Sequence, residues 1–272
     1  MLHLLLWSRR MEVKPASPTE PDPPTRQFYV NVMTRLDDAK IPYVVGGGYA
    51  MAYYTGIARN TKDLDLFIRL KDRDRALRVL ANVGYRTEFF YEFWIAKALS
   101  GEAFVDILYN SGNGLCPVDD DWFKFGVDQE VLGYPTRLVP AEEQLWSKAF
   151  VQDRDRYDGA DVAHLLLARA DKMDWKRLVR RFERHERVLL AHLILFGYIY
   201  PREKLAIPGW VMEHLMNAIK HENAGTGQPV CFGTNISQKG YGTALREWGF
   251  VDGRLKPNGP LSEEQVRQLP EP

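Results

Sequence analysis

At Pro140 the periodicity of this chain changes, and that change limits the folds open to it. Before it, apolar residues alternate in short runs broken by glycine turns, the pattern of strands with helices between them; after it, they recur every three or four residues as far as residue 220. In the first half, Phe28, Tyr29, Val32, Met33, Leu36 and Ala39 predict a helix over 24–39. A short strand, "YVVG", follows Pro42. Gly46, Gly47 and Gly48 then turn the chain into a helix beginning "YAMAYY", and 62–69 reads as the next strand. A helix over 71–82, a hairpin in "FWIAKALSGEAFVDILYN" turning at Ser100 and Gly101, and a short hairpin over 130–139 complete this half. Past Pro140, which suits a helix start, Glu142 and Glu143 stand where they favour the positive helix end. Helices are expected over 141–151, 155–170, 174–184, 186–198 and 208–220. The run "VLLAHLILF" is too short to span a bilayer and reads as the centre of a helical bundle.

The expected fold class is therefore α/β (α+β), a short mixed sheet followed by an all-helical domain. The expected division is a flexible arm over 1–24, an α/β domain over 25–139, a helical domain over 140–220 and an irregular tail over 221–272. The arm follows from the Pro-rich, polar stretch "KPASPTEPDPP", and Arg9 and Arg10 interrupt the short apolar run ahead of it. Ser262 and Gln265 have the spacing of a reciprocal cap for a short last helix. Thirty-six Lys plus Arg balance thirty-six Asp plus Glu, so no bulk field steers the molecule toward nucleic acid or an anionic membrane. Two cysteines, Cys116 and Cys231, lie in unrelated contexts and signal neither a disulfide framework nor a thiolate metal site, so a cytoplasmic setting is expected.

Against this background the stretch "RNTKDLDLFI" is anomalous. Leu64, Leu66 and Ile68 take one face of the strand, which turns Asp63, Asp65 and Phe67 to the other. Two carboxylates that close raise one another's pKa unless a cation separates them. Asp106, in "AFVDILY", is another charge with apolar neighbours; if its strand lies beside 62–69, three carboxylates converge. Oxygen ligands of this kind suit Mg²⁺, as one ion or two, and such ions assist in-line displacement at phosphorus. Gly47 and Gly48 lack Cβ and precede a helix, so a phosphate chain can approach the backbone amides there. Each feature also has a plainer explanation. Asp63 and Asp65 would suit a solvated strand face, the glycines an ordinary turn, and Asp106 an edge strand that resists pairing.

The stretch "VGGGYAMAYYTGIARNTKDLDLFI" followed by "FVDIL" resembles the nucleotidyltransferase superfamily of the DNA polymerase β type, and within it the branch holding AbiEii-like and minimal nucleotidyltransferases. The resemblance implies Mg²⁺-dependent transfer of a nucleotidyl group from a nucleoside triphosphate to a hydroxyl, with abortive-infection or toxin–antitoxin roles in that branch. It implies Asp63, Asp65 and Asp106 as catalytic residues and metal ligands, and Gly47, Gly48, Arg59 and Thr61 at the nucleotide. The later stretch "EEQLWSKAFVQDRDRYDGADVAHLLL" is similar to the segment that supplies a Lys and a carboxylate to the nucleotide, here Lys148 and Asp158, with Asp161 the competing carboxylate. The plainer explanation is a charge-laced helix. Arg59 would either hold phosphate or tie helix to strand.

The acceptor is left open among an RNA end, a protein side chain and a small alcohol such as an aminosugar antibiotic. A non-catalytic binding protein, antitoxin or scaffold, is the other class. RNA is favoured by "RADKMDWKRLVRRFERHER", residues 169–187, in which Lys176, Arg177, Arg180, Arg181 and Arg184 recur along one helix and would follow a phosphate backbone. An ordinary solvated helix explains the same residues. Asp119, Asp120 and Asp121 fit either an acidic pocket for a small acceptor or a helix N-cap.

Overall fold

The computed structural model describes residues 14–221 and 227–269. Residues 1–13 of the expected arm, and 222–226 and 270–272 of the expected tail, lie outside the described residues. Helix α1 (Pro23–Asp38) starts where the Asp22 carboxylate accepts the Thr25 amide at 3.1 Å. Strand β1 (Tyr43–Val45) passes through the glycine turn into α2 (Gly47–Thr55), which ends on Gly56 in the left-handed conformation. Then come β2 (Leu64–Ile68), α3 (Arg73–Asn82), β3 (Arg86–Tyr91), β4 (Ile95–Ser100), β5 (Ala103–Leu108), α4 (Asp120–Lys124), β6 (Val127–Val131) and β7 (Tyr134–Leu138). The helical region consists of α5 (Ala141–Ala149), α6 (Gly159–Arg169), α7 (Trp175–Arg181), α8 (Glu186–Ile199) and α9 (Gly209–Lys220).

The seven strands form one mixed sheet in the order β3-β4-β5-β2-β1-β7-β6. β2 runs parallel to β5 and antiparallel to β1, while β1 runs parallel to β7. A mixed sheet followed by a largely helical region is the α/β arrangement that the sequence predicts. One sheet face is closed by α1 and α3, whose Val32, Met33, Leu36 and Leu80 pack on Leu64, Leu66, Ile68, Val105 and Ile107. Leu64, Leu66 and Ile68 are each fully buried, worth about 1.5–3 kcal/mol apiece relative to exposure. That burial fixes the register of β2 and turns Asp65 and Phe67 to the opposite face. There Phe67 stacks on Trp122 at 4.9 Å, and one continuous core runs through α2, α4 and the helices from α5 to α9. Among the described residues no helix is long and apolar enough to cross a membrane.

Several local expectations change. β3 is an additional edge strand. Helix α6 begins at Gly159, so residues 153–158 form a loop rather than the expected charge-laced helical turn. Helix α7 ends at Arg181, and Arg184 adopts a left-handed φ of 69° beyond it. α8 is not the centre of the bundle: Leu189, Leu193 and Phe196 are buried, but Ile194, Leu195 and Tyr198 face outward, Tyr198 with 83 % of its surface exposed. Among the arm residues described, Pro18 is buried and the Ala16 amide donates to the Ala52 carbonyl of α2. The tail holds β8 (Val230–Cys231), α10 (Gly242–Arg246), β9 (Val251–Asp252) and α11 (Glu263–Gln268), and Ser262 and Gln265 form the expected reciprocal cap.

Candidate active site

The site is built where β2 meets the glycine turn. The Gly46 amide donates to the Asp65 carbonyl at 3.0 Å, hooking the turn to the strand. Gly47 has φ 53°, and a Cβ there would stand 1.6 Å from Asp65 Oδ2. Only glycine is compatible with both the left-handed backbone and the neighbouring carboxylate. A Cβ on Gly48 lies 3.0 Å from that of Thr61, so this contact is also tight. The amides of the first turn of α2 have no acceptor within their own helix, and they sit beside Asp65.

Asp63 stands in a bend just before β2 rather than within it, and Thr61 Oγ1 donates to its Oδ1 at 2.8 Å. Asp106 lies directly opposite Asp65 on the parallel strand β5. Oxygens of all three carboxylates lie within 4.8 Å of one another. The convergence expected from sequence is therefore present. Its electrostatics are unbalanced: burial first, then the charges of Asp63 and Asp106, push the Asp65 carboxyl up to about 7. Burial raises Asp106 as well, although the Lys97 ammonium opposes it. Three hard oxygen donors crowded enough to raise the Asp65 carboxyl fit a divalent cation such as Mg²⁺.

Lys148 and Arg156 pull Asp65 in the opposite direction, so their charges reach the carboxylate cluster. Lys148 on α5 contacts both candidate carboxylates, Asp158 at 2.8 Å and Asp161 at 2.9 Å. Asp161 also accepts from Arg59 at 2.6 Å. Burial raises the Asp161 carboxyl, but Lys148 and Arg59 outweigh it and hold the group below its ordinary range. Arg59 thus ties the segment between α2 and β2 to the helical region.

Two cations at the site escape the sequence reading. Lys97 on β4 donates to Asp106 at 2.6 Å, a pair that the exact register of the β4–β5 hairpin would have revealed. Arg156, exposed on the loop before α6, lies 3.5 Å from Asp158, and no spacing distinguishes it from its charged neighbours. The tail packs against neighbouring segments. Asn113 donates to the Asn235 carbonyl, the Gln152 amide to the Ile236 carbonyl, and Ser237 to Asp153 at 2.6 Å. It therefore stitches the segment after β5 to the loop bearing Arg156 and Asp158.

The basic segment over 169–187 differs from the continuous cationic stripe read from sequence. Arg177 is buried and ion-paired with Glu142 and Glu143; Arg181 pairs with Glu143 and Asp119. Lys176, Arg180 and Arg184 remain exposed. Asp119 caps α4 by accepting the Asp121 amide, which selects the N-cap explanation of the 119–121 cluster over an acidic pocket.

The chain is similar to several solved structures. The antibiotic-resistance factor ANT(2'')-Ia is 18 % identical, with 63 % of this chain and 98 % of that one covered and a TM-score of 0.43. The lincosamide antibiotic adenylyltransferase LnuA is 16 % identical, with 55 % and 98 % covered and a TM-score of 0.38. An antigenic nucleotidyltransferase-like protein from Paracoccidioides brasiliensis is 16 % identical, with 71 % and 98 % covered and a TM-score of 0.44. A search of curated proteins finds no match. A family model described as "Uncharacterised nucleotidyltransferase" matches residues 26–197, well over half of the chain, and this protein, with its polymerase-β-type nucleotidyltransferase fold, belongs to that family.

Proposed function

We propose that this protein transfers a nucleotidyl group from a nucleoside triphosphate to the hydroxyl of a small molecule, with Mg²⁺ held by Asp63, Asp65 and Asp106. The observation that carries the proposal is the meeting of three carboxylates, from the bend before β2, from β2 and from β5, within 4.8 Å beside the Gly47 turn. A bound ion at these ligands would lower the pKa of the attacking hydroxyl and neutralise charge on the transferred group. The acceptor oxygen attacks the α-phosphorus, the bond to the β-phosphate oxygen breaks, and pyrophosphate leaves. Asp106 is assigned to the acceptor side, as the ligand through which a bound ion would lower the pKa of the attacking hydroxyl. Gly47, Gly48 and the first amides of α2 receive phosphate, and Lys148 neutralises the triphosphate at the other wall of the cleft. Asp158 and Asp161 hold Lys148 in place, Arg59 steadies Asp161, and Thr61 orients Asp63.

A small acceptor is preferred to RNA because Arg177 and Arg181 turn away from the expected stripe toward Glu142, Glu143 and Asp119, which leaves three of its five cations, Lys176, Arg180 and Arg184, on the surface. A phosphate-following surface needs such cations facing solvent. The proposal places the catalytic domain at 25–139 and a helical domain that closes the cleft at 140–220. It also places the chain in the AbiEii-like branch, on the motif spacing between Gly47 and Asp106, and in the cytoplasm, on two unpaired cysteines. A non-catalytic scaffold is disfavoured, since it has no use for three mutually repelling carboxylates.

The test is incubation with each α-labelled nucleoside triphosphate and Mg²⁺, offering aminosugar and other polyhydroxylated compounds, total RNA and total protein. Label on a small molecule, lost in Asp63→Asn and Asp65→Asn, is the expected result. Label on RNA or protein would overturn the acceptor assignment; no wild-type labelling of any fraction would remove the transferase reading.

A further inference from the structure

Each carboxylate of the cluster is held differently. Asp65 is wedged against the Gly47 backbone, and Asp63 takes a hydroxyl hydrogen bond from Thr61. Among the described residues Asp106 alone of the three is ion-paired: Lys97 stands directly across the antiparallel β4–β5 pair, its Nζ 2.6 Å from Asp106 Oδ1. The Lys97 side chain retains only 18 % of its exposure, and its ammonium lies 3.9 Å from the Phe104 ring centroid and 5.4 Å from that of Phe90. Phe104, two residues before Asp106, projects from the same face of β5. The two rings attract the cation and limit its swing. A solvated counter-ion would need no such enclosure.

The consequence is geometric. One oxygen of Asp106 is engaged by a short charge-assisted hydrogen bond, which fixes the carboxylate plane and leaves the other oxygen for an ion. We propose that Lys97 is a positioning residue for metal binding, holding Asp106 in the orientation that completes the three-carboxylate site. This rests on the metal-binding reading above. The ammonium also repels a divalent ion, so two effects oppose one another. Orientation prevails in this assignment, because the enclosed ammonium reaches Asp106 from across the sheet, and loss of an outer partner of a metal ligand costs about 10–100-fold in affinity.

The experiment is titration of the full chain with Mn²⁺ alone, reading free ion by electron paramagnetic resonance, with folding checked by circular dichroism. Lys97→Met is expected to weaken Mn²⁺ binding about 10–100-fold, while Lys97→Arg, which keeps the charge between the rings, retains most of it. In an Asp106→Asn background, Lys97→Met should add less than about twofold, as expected once the coupled partner is gone. Unchanged or tighter binding by a folded Lys97→Met, or an equal loss in the Asp106→Asn background, overturns the assignment. If Lys97→Met fails to fold, Lys97→Gln supplies the same comparison. A wild type that binds no Mn²⁺ overturns the metal-binding reading and this inference with it, whereas wild-type binding with an indifferent Lys97 variant overturns this inference alone.

Discussion

Replacing Asp65 by Asn removes a charge from the most strained point of the site without changing the side chain's shape. The metal-free protein is therefore expected to become more stable. Burial, with the charges of Asp63 and Asp106, raises the Asp65 carboxyl from 3.8 to about 7. At about 1.4 kcal/mol per tenfold, that difference sets a cost on the order of 2–4 kcal/mol once the group is ionised. The sign follows from proton linkage. The folded state binds the proton more tightly than the unfolded state, so the cost is absent below about pH 4, grows as pH rises toward 7, and is constant above it. Urea unfolding in EDTA at pH 5 and pH 8 measures it. Asp65→Asn should exceed the wild type by about 2–4 kcal/mol at pH 8 and by clearly less at pH 5. Added Mg²⁺ should stabilise the wild type and leave the variant nearly unmoved. An Asn variant less stable than wild type at pH 8, or a difference equal at both pH values, would refute the reasoning.

Three further perturbations address other parts of the site. Gly47→Ala forces a Cβ onto Asp65 Oδ2 at a positive φ, so it should cost about 1–3 kcal/mol in urea unfolding and abolish Mn²⁺ binding; full metal affinity would show that the turn yields. Lys148→Ala should weaken binding of a fluorescent nucleoside triphosphate about tenfold or more in a direct titration, and equal nucleotide affinity would remove Lys148 from the triphosphate wall. Arg177→Met takes the ion-pair partner from the buried Glu142 and leaves Glu143 with Arg181, so a loss of about 3–5 kcal/mol in unfolding free energy is expected, and a near-neutral change would contradict their dependence on that guanidinium.

The acids were legible because a buried strand has a strict two-residue period: Leu64, Leu66 and Ile68 demand the core, and Asp65 has no choice of face. The glycine turn was legible for a similar reason, since a positive φ against a carboxylate admits no other residue. β3 was not legible, because the edge strand is largely exposed on both faces and Phe89 and Phe90 face solvent instead of a core. Lys97 was lost to a one-residue error in the turn. A turn at Ser100 and Gly101 sets Asp106 opposite Ile95, whereas the Ser100–Ala103 pair sets it opposite Lys97. The basic stretch misled because its spacing gives no sign that Glu142, Glu143 and Asp119, distant in sequence, draw Arg177 and Arg181 inward. The loop before α6 reads as helix because its alternating charges mimic pairs four residues apart, although Gln152 and Tyr157 bridge as in a strand pair.

The most direct measurement is a crystal of the protein grown with Mn²⁺ and a non-hydrolysable nucleoside triphosphate, read by anomalous scattering. The account predicts manganese density bounded by Asp63, Asp65 and Asp106, with phosphate density running to the Gly47–Gly48 amides. Manganese elsewhere, or none beside a triphosphate bound at another surface, would contradict it.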